Sequence, residues 1–218
     1  MAASCAQLSA IHFFIGGHES ILATQFQPRI VGIGGTLRPG SSSEKALRYA
    51  LGRAAAQGAL TELITGDGLD LPAYVAEAPA KTEKVMKFVE ALSGAHGVIV
   101  SSPGYHGSLS GMVKNALDYA EALRENNFPY LEGRAVGLIA CAQGWQAAVS
   151  TLATMRQVIH ALRGWPTPMG VAFNTATPVF EEDVPEPTLA RQLEVLTGQV
   201  LEFSLMRHRA GAESAAAS

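Results

Sequence analysis

Arg29-Ile-Val-Gly-Ile-Gly-Gly-Thr-Leu-Arg-Pro-Gly-Ser-Ser-Ser43 decides how this chain folds. An apolar run ends in glycines, a loop of hydroxyls with one arginine follows, and residues 43–57 read as a helix. Ala46, Leu47, Ala50, Leu51 and Ala54 share one face of that helix. The same unit recurs to the end of the chain. Strands are expected at 60–64, 97–101, 135–141 and 169–173. Helices are expected at 82–94, 111–123 and 147–162, and Leu189, Leu193, Leu196, Val200 and Phe203 stripe a final one. Strands that are apolar throughout are buried on both faces, and intervening helices supply the crossovers of a parallel sheet. The expectation is a three-layer α/β/α sandwich around a five-stranded parallel sheet of order 2-1-3-4-5. Ligands of such a sheet sit at the carboxyl ends of the strands, so the loops after strands one, three and four are the ones to read.

Composition narrows the class. The chain has 218 residues, of which 48% are hydrophobic and 16% charged, which is globular rather than disordered. A net charge of -3 gives no electrostatic case for nucleic acid or an anionic membrane. Cys5 and Cys141 make no disulfide framework or metal spacing, so a reducing cytoplasm is the simplest location. The apolar residues 11–15 are interrupted by His12 and preceded by no basic segment, which is a poor signal peptide and too short to span a bilayer. Residues 1–28 are read as a flexible arm or an upstream mis-called start, 29–205 as one domain, and 206–218 as a disordered Ala/Ser-rich tail.

The first loop is an anion site by its chemistry. Thr36, Arg38, Ser41 and Ser43 bring hydroxyls and a cation to a helix N-terminus, where unpaired N–H groups and the dipole attract negative charge. A plain serine N-cap beside a solvated arginine is the bland account, but capping needs one serine. Gly35-x4-Gly40 has the spacing of a nucleoside-triphosphate loop, yet Ser41 stands where its lysine belongs. Gly32-x-Gly34 begins a dinucleotide fingerprint, but Leu37 replaces the third glycine. A terminal phosphate monoester fits best.

After strand three come Pro103, Gly104, Tyr105, His106, Gly107 and Ser108, and after strand four Gln143, Gly144, Trp145 and Gln146. Neither loop contains Asp or Glu. Gly-Thr-x-Arg-x-x-Ser-x-Ser after strand one, Leu-Pro-Ala-Tyr at 71–74 and Ser-Pro-x-Tyr-His-Gly-Ser-x-x-Gly-x-x-Lys-Asn-Ala-Leu-Asp after strand three resemble the NADPH-dependent FMN reductase family. The resemblance covers about Pro28 to Phe173 and implies a flavodoxin-like fold, bound FMN, and NADPH or NADH as co-substrate. It implies that Thr36, Arg38, Ser41 and Ser43 hold the FMN phosphate. Residues Pro103 to Ser108 would border the isoalloxazine, and Gln143 to Gln146 would close it from the other side. It also implies a homodimer or tetramer that hands electrons to a small acceptor or a flavin-dependent monooxygenase. The acid-free loops suit a reduced flavin, which carries negative charge. Flavin N5 carries the chemistry, so no catalytic side chain is expected.

The sequence departs from the family in two places. Position 104 is glycine where relatives often carry a larger, usually acidic residue, and Gln143-Gly-Trp replaces a more glycine-rich stretch. Sulfonate-monooxygenase reductases carry an extra tyrosine in the following helix, and none is found between Trp145 and Leu162. Other candidates have plainer readings. His160 sits mid-helix, His106 orders a loop, Cys141 is a small apolar core residue, Lys114 and Asp118 form an i,i+4 pair, and residues 181–183 form a solvated acidic loop. The competing class is a one-electron carrier, which would have a first loop without arginine and strongly acidic surroundings.

Overall fold

Eight consecutive buried residues, Ala135–Ala142, form strand β5 in the interior of the sheet. Such a strand must be covered on both faces, and the rest of the chain does so. A computed structural model describes residues 26–216. Around β5 are β1 (Arg29–Gly34), β2 (Leu60–Ile64), β3 (Gly97–Tyr105) and β6 (Trp165–Asn174), paired in parallel in the order β2-β1-β3-β5-β6. A two-residue strand, β4 (Ser108–Leu109), hangs antiparallel off β3 and shifts the last two labels. Discounting it, the five principal strands follow the expected order.

The helices are α1 (Ser42–Ala56), α2 (Glu83–Ser93), α3 (Gly111–Asp118), α4 (Trp145–Ala161) and α5 (Pro187–Ala216). Hydroxyls cap the first three: Ser41, Thr82 and Ser110 each accept the N–H three residues on. The expected helix at 111–123 is in fact α3 followed by a 3-10 turn at Tyr119–Leu123. One apolar layer packs α1 and α5 on the sheet through Leu47, Leu51, Leu193 and Val200. The other packs α2, α3 and α4 through Phe88, Val113, Leu117 and Met155.

The edge strand β6 is irregular. Its register slips against β5 between Val136 and Leu138, next to Pro166 and Pro168. Arg156 donates to the carbonyls of Thr167 and Pro168, both at 3.1 Å, and Gln199 accepts Met169 N–H at 2.8 Å.

The expected tail at 206–218 needs correction. α5 continues to Ala216, with residues 206–215 exposed. An alanine-rich composition that reads as low complexity also has the highest helix propensity, and it extends a helix already nucleated on the body. The expected arm at 1–28 lies largely outside the described residues. Of its end, Phe26 stacks on His208 at 3.6 Å between ring centroids and meets His96 edge-on at 4.9 Å.

His96 is held below the ordinary imidazole value, first by partial burial and then by His208, Arg134 and Arg29 nearby. Its Nδ1 also accepts Arg29 N–H at 3.0 Å, which requires the neutral ring. A histidine with a depressed folded pKa binds its proton more readily when unfolded, so stability is lost as pH falls below about 6.5. The melting temperature is expected to fall more between pH about 7.5 and about 5.5 in the wild type than in His96→Gln. Parallel curves would show that His96 carries none of the acid sensitivity.

Candidate active site

The carboxyl ends of β1, β3, β5 and β6 meet around a cavity of about 280 Å³. Thr36, Arg38 and Ser41–Ser43 line it from the first loop, Pro103, Gly104 and Tyr105 from the end of β3, and Cys141, Ala142 and Gln143 from the end of β5. Thr175, just past β6, completes it. A second cavity of about 570 Å³ shares Thr36, Arg38 and Tyr105 with the first and adds Leu37 and Met112. No Asp or Glu lines either cavity.

The first loop is built by its own hydroxyls. Thr36 Oγ1 accepts Arg38 N–H at 3.1 Å and closes a tight turn. Ser41 caps α1, and its Oγ lies 3.3 Å from Ser43 Oγ. Ser101 Oγ on β3 donates to the Ser43 carbonyl at 2.8 Å and ties loop to sheet. The Arg38 side chain is exposed and has no hydrogen bond or ion pair among the described residues. An unpaired guanidinium beside the open first turn of a helix can take a bidentate oxyanion.

Glu44 is a supporting residue that the motifs did not single out. It is buried, accepts Gly40 N–H at 3.1 Å, and is paired with Arg48 at 2.7 Å. It holds the loop's shape while Arg48 offsets its charge. A signal for it exists in the sequence, since Ser41-Ser-Ser-Glu44 has the spacing of a capping box.

The second loop is a hairpin. Tyr105 pairs with Ser108, leaving His106 and Gly107 as a two-residue turn with φ 53° and 85°. Both central residues of a type I′ turn need positive φ, so Gly107 is required by the turn, and histidine is among the side chains that tolerate that region. Tyr105 is 54% exposed, so its ring is available at the cavity mouth. Gly104 lines the cavity and also lies close against α4. A Cβ there would meet Thr151 Oγ1 at 2.5 Å and the Ala147 carbonyl at 3.3 Å, so a larger side chain would require its neighbours to shift.

Of the third-loop residues, only Gln143 lines the cavity. Gly144 caps α4, and Trp145 and Gln146 form its exposed first turn, with Trp145 60% exposed. His160 is exposed on α4, and Lys114 and Asp118 are paired at 2.6 Å. Asn115 accepts Tyr74 N–H at 2.8 Å and donates to Pro72 O at 2.9 Å, and so fastens the Leu-Pro-Ala-Tyr segment to α3. The acidic run 181–183 turns a small hairpin, β7 (Phe180–Glu181) and β8 (Val184–Pro185), tethered by Lys45 to Glu182 and Asp183.

Burial raises the Cys141 thiol to about 12, with a smaller opposing effect from the Ser43 hydroxyl. A thiol so raised is almost wholly protonated at neutral pH. In a Cys5→Ser variant, Cys141 is expected to alkylate about 100-fold or more slower than an unfolded-chain thiol. Comparable rates would show that the site opens far more than its burial implies.

A parallel α/β sandwich with a cationic, hydroxyl-rich cavity at the carboxyl ends of its central strands defines a flavodoxin-like protein. Residues 28–178 match the NADPH-dependent FMN reductase family, and the chain belongs to that family. It is 32% identical over 88 residues to an FMN-dependent NADPH-azoreductase of Staphylococcus haemolyticus, covering 40% of this chain and 43% of that one. It is 29% identical over 116 residues to an NAD(P)H-dependent FMN reductase of Pseudomonas aeruginosa, covering 53% and 60%. The chain thus spans about half the length of the curated relatives it matches. The fold is shared with an NAD(P)H:(acceptor) oxidoreductase from Paracoccus denitrificans, at a TM-score of 0.63, 20% identity, and coverage of 84% of this chain and 98% of that one. It is also shared with the apo form of an NADH:FMN oxidoreductase, at 0.62 and 23%, covering 83% and 90%.

Proposed function

We propose that the chain is an NAD(P)H-dependent FMN oxidoreductase whose smaller cavity receives the phosphate and ribityl chain of FMN. The observation that carries this reading is the unpaired Arg38 side chain facing an acid-free cavity at the first turn of α1. Arg38, with the N–H groups of that turn and the hydroxyls of Ser41 and Ser43, suits a phosphate monoester. Tyr105 and the hairpin tip at His106 to Ser108 would border the ring on one side, and Gln143 to Gln146 on the other. When bound, FMN accepts a hydride from the nicotinamide and passes electrons to a second acceptor. The chain itself orients the two reactants and keeps carboxylates away from the developing charge.

A bound-flavin enzyme acting on small acceptors is favoured over a flavin shuttle serving a monooxygenase. α4 is α-helical from Trp145 to Ala161, with no irregular turn where an inserted tyrosine would sit. The azoreductase relatives point the same way. The test is anaerobic oxidation of NADPH and NADH by FMN-loaded protein, followed by addition of quinone, azo dye or free FMN. Failure of the wild-type protein to bind FMN would reject the reading; reduction of free FMN alone would favour the shuttle.

The exposed apolar side chains Leu37, Tyr105, Trp145 and Val149 suit a site completed by a second copy, in a homodimer or tetramer. Light scattering is expected to report a dimer or larger, and a fully active monomer would refute this. A cytoplasmic location fits the same reading; among the described residues no helix is long and apolar enough to cross a membrane.

A further inference from the structure

Thr175 is the residue that the end of β6 contributes to the lining of the smaller cavity, and it lies outside the motifs that mark the other loops. Its backbone is fixed on both sides. Thr175 N–H donates to the Ala142 carbonyl at 2.8 Å, which carries the β5–β6 ladder one residue past Asn174. The Asn174 side chain accepts Ala176 N–H at 2.8 Å and closes a turn directly after it. Side chains alternate along a strand, so Thr175 stands on the same side of the sheet as Phe173. Phe173 is buried in the layer that α1 and α5 cover, so Thr175 faces α1. The first turn of that helix is near. The Ser43 hydroxyl reaches Cys141, and Cys141 pairs with Phe173 on the adjacent strand, about 4.8 Å away.

Arg38 and Thr175 enter the cavity from opposite ends. Arg38 comes from the loop after β1, Thr175 from the end of β6, and β3 and β5 lie between those strands. The Thr175 side chain is half-buried, and its hydroxyl makes no hydrogen bond among the described residues. It is therefore free to donate to a ligand. A phosphate monoester presents three strongly accepting terminal oxygens. Arg38 is the one charged residue in the lining, so an oxygen turned toward β6 has only neutral donors to meet. We propose that Thr175 is a binding residue for the FMN phosphate, its hydroxyl donating to an oxygen on the side away from Arg38. The first turn of α1 then holds the phosphate from below, and the loop after β1 and the end of β6 hold it from either side. Preference for FMN over riboflavin is accordingly shared between Arg38 and Thr175.

This inference rests on the FMN reading above, and its test separates the two. Apo-protein of each variant is titrated with FMN and with riboflavin, and its melting temperature is recorded without ligand. Thr175→Val keeps the shape and removes the donor. It is expected to bind FMN about tenfold more weakly, to bind riboflavin as the wild type does, and to melt no lower. Thr175→Ser keeps the hydroxyl and should stay within about threefold of wild type for both ligands. Thr175→Asp places a carboxylate against the phosphate and should weaken FMN by about 100-fold or more, with riboflavin again little changed. Unchanged FMN affinity in Thr175→Val would overturn the proposal. So would equal losses for FMN and riboflavin, which would assign the hydroxyl to the ribityl chain or to the fold. Wild-type protein that binds neither FMN nor riboflavin overturns the cofactor reading itself.

Discussion

Arg38→Ala is expected to weaken FMN binding by about 10–100-fold while leaving riboflavin affinity nearly unchanged. A charge-assisted hydrogen bond contributes about 1.5–3 kcal/mol, which converts to that range in Kd. The Arg38 side chain reaches no carboxylate among the described residues, so its removal should leave the fold intact. Riboflavin lacks only the phosphate, so it isolates the contact. Equal losses for both ligands would show that Arg38 supports the loop rather than the phosphate. Fluorescence titration of the apo-protein with each ligand decides between them.

The largest effect on stability is expected from Gly34→Ala. Gly34 closes β1 at φ 149° and pairs with Ser101 on β3, and an added methyl would overlap the Ser101 carbonyl oxygen. The strained backbone costs about 1–3 kcal/mol, and forcing β1 and β3 apart costs a similar amount, for a loss of about 3 kcal/mol or more. That is a large share of a typical domain's stability of about 5–15 kcal/mol. The strands would part where Ser101 braces Ser43, so FMN affinity should fall with it. Urea unfolding of the variant measures the loss, and a change below about 1 kcal/mol would mean that the strand ends yield more easily than their pairing suggests.

The sheet and its helices were legible because burial dictates composition. A strand covered on both faces, such as Ala135–Ala142, can carry little but apolar residues, and an amphipathic helix must repeat its pattern. The loops that meet at the cavity were legible for a related reason, since strand ends in this topology converge whatever their sequence. Side-chain pairing was harder to read. Glu44 looks like any first-turn acid until its reach to Gly40 is seen. Gly104 lines the cavity, but nothing in the sequence signals that it also leaves room for Thr151, far along the chain on α4. The helical end of α5 was not legible because alanine-rich sequence describes both a disordered tail and a helix continued from a packed one.

The irregular edge at β6 bears on what the protein must avoid. A free sheet edge offers a row of donors and acceptors to any passing strand, and growth by such pairing leads to aggregates. Pro166 and Pro168 withdraw two donors from this edge, Arg156 occupies two acceptors, and Gln199 takes the N–H of Met169. The first half of β6 is thus closed to templating by another copy. Joining two copies through that segment into one continuous ribbon is therefore disfavoured.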